Sequence, residues 1–461
     1  MEPLLIREIV EAVGGELISG DADSRVCGVN TDTRLLARGD LFFALKGENA
    51  DGHAYVPRAL EAGAAGVVVS DVTAVPSGLG AAVIKVADPL WALGDLAGYY
   101  RRRFDVSVIG ITGSVGKTTT KEMLASILER KWRVLKNAVN YNNEIGVPLT
   151  LFQLDRTHEA VVIEMAMRGL GEISRLAVIA GPRIGVITNV GISHIERLGS
   201  QGAVADAKAE LLAELPHDGI AVLNAEDGYF TMMSERFPGR VISFGSCEYA
   251  DVAARKVRSL KDGRCVFALT YGGDSVDVTA PFLGRHNVYN ALAASAAAIG
   301  MGVDLETIRE GIEGCPSPPM RMELVESKAG YAVLNDSYNA SPASMVAALR
   351  TLSALKGYKR RIAVLGDMLE LGEYAAKAHK DIGSAAVDEG VAMLITVGDL
   401  ARRIGWGARA SGLPAEAIRA FSDASEAAAY LKGEVGPGDV VLVKGSRAMK
   451  MEEIVRRLAD D

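Results

Sequence analysis

Val108-Ile-Gly-Ile-Thr-Gly-Ser-Val-Gly-Lys-Thr-Thr-Thr120 is the stretch that decides the fold. The apolar run Val106 to Ile111 predicts a buried strand. Gly113 to Gly116 predicts a tight turn, and Lys117 with three threonines opens a helix carrying Met123, Leu124, Ile127 and Leu128 at helical spacing. Strand, glycine turn and lysine-headed helix make a phosphate cradle. Backbone N–H groups and the helix N-terminus face the anion, Lys117 reaches the outer phosphates, and Thr118 offers a hydroxyl to magnesium. The common form of this loop has a glycine five residues before Gly116. Here that position is Ile111, and the loop is the shorter Thr112-Gly-Ser-Val-Gly-Lys-Thr118. A Gly-rich turn capping an ordinary helix is the bland alternative.

Outward from the loop, 461 residues are too many for one core, so several domains are expected. A hydrophobic fraction of 49% with 23% charged residues is that of a globular chain. The net charge of −8 points away from nucleic acid and anionic membrane surfaces. Cys27, Cys247, Cys265 and Cys315 are scattered, which predicts reduced thiols in a cytoplasmic setting rather than a zinc site. The acidic N-terminus does not read as a signal peptide, and no run of ~18 apolar residues predicts a membrane span.

Residues 1–88 read as a small α/β unit, with Asp88-Pro89 as its boundary. Residues 89–315 alternate strands (160–164, 184–188, 219–223, 240–244) with helices, which predicts a mostly parallel sheet. Residues 251–280 read as antiparallel strands. Cys315-Pro-Ser-Pro-Pro319 reads as a linker. Residues 316–461 form a further α/β run with strands near 331–334, 361–365, 393–397 and 440–443. The expected fold class is therefore α/β in three domains: a small N-terminal unit, a central phosphate-loop unit and a C-terminal Rossmann-like unit.

In such sheets ligands lie beyond the carboxyl ends of strands. Glu164 stands at such an end, where it serves either a cation or a structural salt bridge. His194 follows Thr188-Asn189 past another strand. Lys208, in Asp206-Ala-Lys-Ala-Glu210, reads from composition as a solvated helix lysine. Arg321 follows the linker, and Asn335-Asp-Ser-Tyr-Asn-Ala-Ser-Pro342 is a polar turn before a helix.

Together Thr112 to Thr119, Glu164, His194, Lys208, His286-Asn287 and Arg321 resemble the ATP-dependent Mur ligases of peptidoglycan synthesis. Further stretches resemble the branch that adds D-alanyl-D-alanine. They are Asn335 to Pro342, Leu365-Gly-Asp-Met-Leu-Glu-Leu-Gly372, Val443-Lys-Gly-Ser-Arg-Ala-Met-Lys450, Gly39 to Gly47 and Asn140-Tyr-Asn-Asn-Glu-Ile-Gly-Val-Pro148. The resemblance implies ATP-driven joining of D-alanyl-D-alanine to UDP-N-acetylmuramoyl-tripeptide through an acyl phosphate, by a monomer. It implies ATP on Thr112, Gly113, Ser114, Val115, Gly116, Lys117, Thr118, Thr119, Asn287, Arg321 and Asp336. It implies two magnesium ions, on Thr118 and Glu164 and on His194, with Lys208 carbamylated as a metal ligand. Lys117, Glu164, His194 and Lys208 are the implied catalytic set. Asp32, Thr33, Arg34, Lys46 and His53 would hold the uridine diphosphate, and Asn142, Asn143, Tyr338 and Asn339 the rest of the substrates. The linker would serve as a hinge. Ser341 departs from the pattern, where asparagine is more usual. A ligase for another amino acid and an ATP-switched binding protein are the competing readings.

Overall fold

The computed structural model describes residues 1–47, 50–76, 80–138, 140–193 and 195–459. Its central sheet has nine strands. Seven are parallel, in the order Val252–Ser259, Arg240–Gly245, Ile220–Asn224, Ile184–Ile187, Ser107–Thr112, Ala160–Glu164 and Val134–Lys136. Cys265–Tyr271 and Asp274–Thr279 continue it antiparallel, as the alternation of residues 251–280 predicts. The loop strand Ser107–Thr112 lies inside the sheet, between Ile184–Ile187 and Ala160–Glu164. From it the chain first builds outward on one side, then crosses to the other. This reversal of strand order opens a crevice at the carboxyl end of the loop strand.

Alternation along the strands feeds two cores. Val108, Val161 and Ile163 face one apolar cluster. Ile109, Ile111 and Val162 face the other, beneath the helices Lys117–Leu128 and His286–Gly300. The first cluster also takes in Leu4, Ile6, Leu41 and Phe43 of the N-terminal unit, together with Leu93, Leu96 and Tyr100 of the helix Pro89–Arg101. That helix starts where the sequence places a break, with the Asp88 carboxylate capping the N–H of Leu90 at 2.8 Å and Pro89 in the first turn. The N-terminal unit thus leans on the central one through shared apolar burial.

The C-terminal sheet has six strands, in the order Glu323–Glu326, Ala332–Asn335, Asp439–Lys444, Arg360–Gly366, Met393–Val397 and Ile418–Phe421. The first is antiparallel and the rest are parallel. The last strand in the chain, Asp439–Lys444, is inserted in the middle of this sheet. It brings Lys444 beside Asn335-Asp336, more than a hundred residues earlier. The edge strands Glu323–Glu326 and Ile418–Phe421 go unrecognised in the sequence, because each is short and half exposed rather than an apolar run. No helix among the described residues is long and apolar enough to cross a membrane.

Candidate active site between the central and C-terminal sheets

A cavity of about 590 Å³ lies between the carboxyl ends of the two large sheets. The central unit contributes Ser114 to Thr119, Asn142, Glu164, His286 and Asn287. The C-terminal unit contributes Arg321, Asp336, Tyr338, Asn339, Lys444 and Arg447.

The glycine loop is held rigidly. Asn189 accepts from the Val115 N–H at 3.0 Å through its side-chain oxygen and donates to the Val115 carbonyl at 2.8 Å. The Thr188 hydroxyl donates to the same carbonyl at 2.7 Å, and the Gly191 N–H donates to Ser114 Oγ at 2.8 Å. Asn224 and Asp227, from the next strand end, brace residues 188–190 in turn. Two glycines are required for steric reasons. A Cβ on Gly113, at φ +145°, would lie 1.9 Å from Thr188 Oγ1, and one on Gly116, at φ +91°, would lie 2.1 Å from Asn290 Oδ1. Lys117 folds back so that Nζ donates to the Gly113 carbonyl at 2.7 Å. Loss of water pulls its pKa down, and the Glu164 charge opposes that shift.

Glu164 pairs in register with Ile111 of the loop strand. Thr118 Oγ1 donates to Glu164 Oε2 at 2.7 Å, and Asn142 Nδ2 donates to Glu164 Oε1 at 2.8 Å. Among the described residues no cation pairs with this carboxylate, so the salt-bridge reading of Glu164 gives way to a hydrogen-bonded carboxylate facing the cavity. Asn137 fixes the backbone beneath it. Its oxygen accepts from the Glu164 N–H at 2.9 Å, and its amide donates to the carbonyls of Glu164 at 3.0 Å and Tyr141 at 2.8 Å. Asn137→Ala should cost about 2–4 kcal/mol, because the Glu164 peptide would lose both partners in a buried place. Urea denaturation checks this, and a loss below ~1 kcal/mol would mean that water replaces the amide.

From the C-terminal unit, Arg321 Nη2 donates to Thr118 Oγ1 at 3.0 Å, and the guanidinium lies 4.1 Å over the Tyr338 ring. The Tyr338 hydroxyl donates to Asn140 Oδ1, a second polar contact across the crevice. Asp336 is already engaged, accepting from the Met322 N–H at 3.2 Å and from Lys444 Nζ at 2.5 Å. His286 lines the cavity with its pKa pulled down to about 4 by burial, against the opposing charge of Asp336. Ser341, the departure from the expected asparagine, still caps the helix Pro342–Ala354.

Lys208 corrects its reading as a solvated helix lysine, since its side chain is 2% exposed. No hydrogen bond or ion pair reaches its Nζ among the described residues. Burial pushes its amine well below the usual value and the Lys117 charge adds to the effect, with Asp227 opposing. His194 lies outside the described residues.

Other expected contacts lie elsewhere. Asn143 Oδ1 accepts from the Gly146 N–H at 2.9 Å, ahead of the helix Gly146–Leu151. Asp32 and Arg34 pair with each other at 2.6 Å, which holds the Asp32 carboxyl down to about 2. Thr33 and Lys46 lie with them on the N-terminal unit, away from the residues lining the cavity. His53 is buried, with Nδ1 2.7 Å from Asp51 and Nε2 accepting from the Ser70 N–H at 3.0 Å. Both ring nitrogens are therefore used in holding that loop. Thr112 is buried with its hydroxyl unpartnered.

Three family models match the chain: "Mur ligase family, catalytic domain" over residues 25–101, "Mur ligase middle domain" over 111–298, and "Mur ligase, glutamate ligase domain" over 320–447. Two curated relatives are named UDP-N-acetylmuramoyl-tripeptide–D-alanyl-D-alanine ligase. The one from Bacillus subtilis is 37% identical, covering 99% of this chain and 98% of the relative. The one from Escherichia coli is 35% identical, covering 100% and 99%. The chain belongs to the Mur ligase family. Among solved Mur ligases, MurF from Acinetobacter baumannii superposes with a TM-score of 0.92 at 32% identity, covering both chains fully. MurF ligase from Thermotoga maritima, solved in complex with ADP, superposes with a TM-score of 0.83 at 27% identity, covering 94% of this chain and 97% of that one.

Three groups that the sequence reading leaves out of the Mur ligase site belong to it structurally: Asn137, Asn290 and Lys444. Lys444 ends an apolar strand, which is a readable signal, just as Thr188-Asn189 follow another. Asn137 and Asn290 carry none, since their role depends on what lies across the crevice.

Proposed function

We propose that this protein joins D-alanyl-D-alanine to UDP-N-acetylmuramoyl-tripeptide with ATP, giving the pentapeptide, ADP and phosphate. One observation carries the reading: Lys117 of the phosphate loop and Glu164 of the adjoining strand share a cavity with Arg321, Tyr338 and Lys444 of the C-terminal unit. A nucleotide held on the loop would meet whatever the C-terminal unit brings. Residues 1–88 would hold the uridine diphosphate, 89–315 the ATP and 316–461 the dipeptide.

In this reading the loop N–H groups and Lys117 hold the β- and γ-phosphates. The tripeptide carboxylate attacks the γ-phosphorus, ADP leaves and an acyl phosphate forms. The dipeptide amine then attacks the acyl carbon and phosphate departs. Arg321 adds positive charge where the phosphoryl group transfers. Thr118 Oγ1 and Glu164 Oε2 are hard oxygen donors 2.7 Å apart. They suit magnesium, which takes few protein ligands and completes its shell with phosphate oxygens and water. When bound, the ion would neutralise phosphate charge. Arg321 already places a cation at that hydroxyl. Among the described residues no hydrogen bond or ion pair holds the Lys208 amine, and burial favours its neutral form, the form that adds carbon dioxide with loss of a proton to give a carbamate. With His194, that group would serve a second magnesium.

Phosphate release in the presence of ATP and UDP-linked tripeptide should appear with D-alanyl-D-alanine and stay near background with single amino acids. Turnover with a single amino acid alone would assign another ligase. ATP hydrolysis without either co-substrate would favour a nucleotide switch. Tripeptides ending in lysine and in diaminopimelate should both be offered.

A further inference from the structure

Arg321 sits between two residues in the left-handed region, Met320 at φ +58° and Met322 at φ +53°. Side chains seldom adopt this backbone, so two in alternation persist only where neighbours fix the turn. The fixtures are visible. The Met320 N–H donates to Glu323 Oε2 at 3.2 Å, and the Tyr338 N–H donates to the Met320 carbonyl at 3.3 Å. The Met322 N–H donates to Asp336 Oδ1 at 3.2 Å. Asp336 is itself 8% exposed, so its charge needs a partner.

That partner is Lys444, 3% exposed at the end of the inserted strand Asp439–Lys444. Its Nζ meets Asp336 Oδ2 at 2.5 Å and donates to the Asn339 carbonyl at 2.8 Å. One ammonium thus ties together the strand end at residue 336, the polar turn at 339 and, through Asp336, the left-handed turn that presents Arg321. Arg321 in turn reaches Thr118 across the crevice.

We propose that Lys444 is a positioning residue for nucleotide capture, acting through Asp336 to hold Arg321 in its cross-domain pose. The proposal rests on the reading of Arg321 as a nucleotide contact. Removing the ammonium frees the Asp336 carboxylate to turn away from Met322. The turn then relaxes and Arg321 loses its aim.

The test is a double-mutant cycle on the full chain. Lys444→Met should raise KM for ATP and Kd for a fluorescent ADP analogue about tenfold, with KM for the UDP-linked tripeptide unchanged. Arg321→Ala should do the same or more. The double variant should be no worse than Arg321→Ala alone. Multiplying effects, or a rise in KM for the tripeptide equal to that for ATP, would overturn the proposal. Lys444→Met leaves a buried carboxylate unpaired and can fail to fold, so Lys444→Met with Asp336→Asn is made alongside. That pair removes both charges and should melt near the parent while keeping the nucleotide defect, since the tie to Asn339 and the fixed carboxylate are gone. A well-folded pair with parental ADP affinity would also overturn the proposal. The parent's ligase assay separates this failure from failure of the functional reading.

Discussion

Lys117→Ala should lower phosphate release by at least about 10³-fold, on the order of 4 kcal/mol of transition-state stabilisation. The Lys117 ammonium lies beside the glycine loop and lines the cavity, where its charge would reach the outer phosphates. Its single strong contact is the Gly113 carbonyl at 2.7 Å, which an incoming phosphate can replace. The fold should survive. Asn189, Thr188 and Ser114 pin the loop without the lysine, and the helix Lys117–Leu128 is anchored by Met123, Leu124, Ile127 and Leu128 in the core. Circular dichroism and melting should therefore match the parent while ADP formation falls to background. Parental turnover in a folded variant would move the phosphate site elsewhere.

The reach of the sequence can be judged from the same residues. The strand Ser107–Thr112 and its neighbour Ala160–Glu164 were readable because buried parallel strands are apolar runs with polar ends. Glu164 and Thr188 stood at those ends, as the crevice rule requires. Asp336 and Arg321 were readable as turn residues, but their partners were not. Lys444 meets Asp336 only because the last strand is inserted mid-sheet, and strand order is not written in local pattern. His53 and Asn143 show another limit. Both are polar residues in turns, and local pattern does not show that the His53 ring and the Asn143 side-chain oxygen also hydrogen-bond within their own loops. Composition cannot tell an available donor from an engaged one.

At Lys208 two sequence signals point in opposite directions. Flanked by Asp206 and Glu210, it looks solvated. Counted around the helix Gln201–Ala213, it stands four residues from Val204 and three and four from Leu211 and Leu212, all buried. It therefore lies on the apolar stripe. An amine there, with no hydrogen bond or ion pair among the described residues, does not serve stability. Lys208→Met, similar in length and apolar, should melt no lower than the parent. A lysine kept for packing or charge pairing would make the same change destabilising. Turnover should move the other way. Lys208→Met and Lys208→Ala should each lose about 10²–10³-fold, the scale of a lost electrostatic group at the reacting phosphates. Only Lys208→Ala leaves a space, so only it should regain activity, by tenfold or more, when acetate or another short carboxylic acid is added. The added carboxylate would stand where the oxygens of a carbamate on Lys208 would be. Removing dissolved carbon dioxide and bicarbonate should slow the parent but not the acetate-rescued variant. Full turnover of Lys208→Met would reduce this side chain to a buried stem and end the carbamate reading.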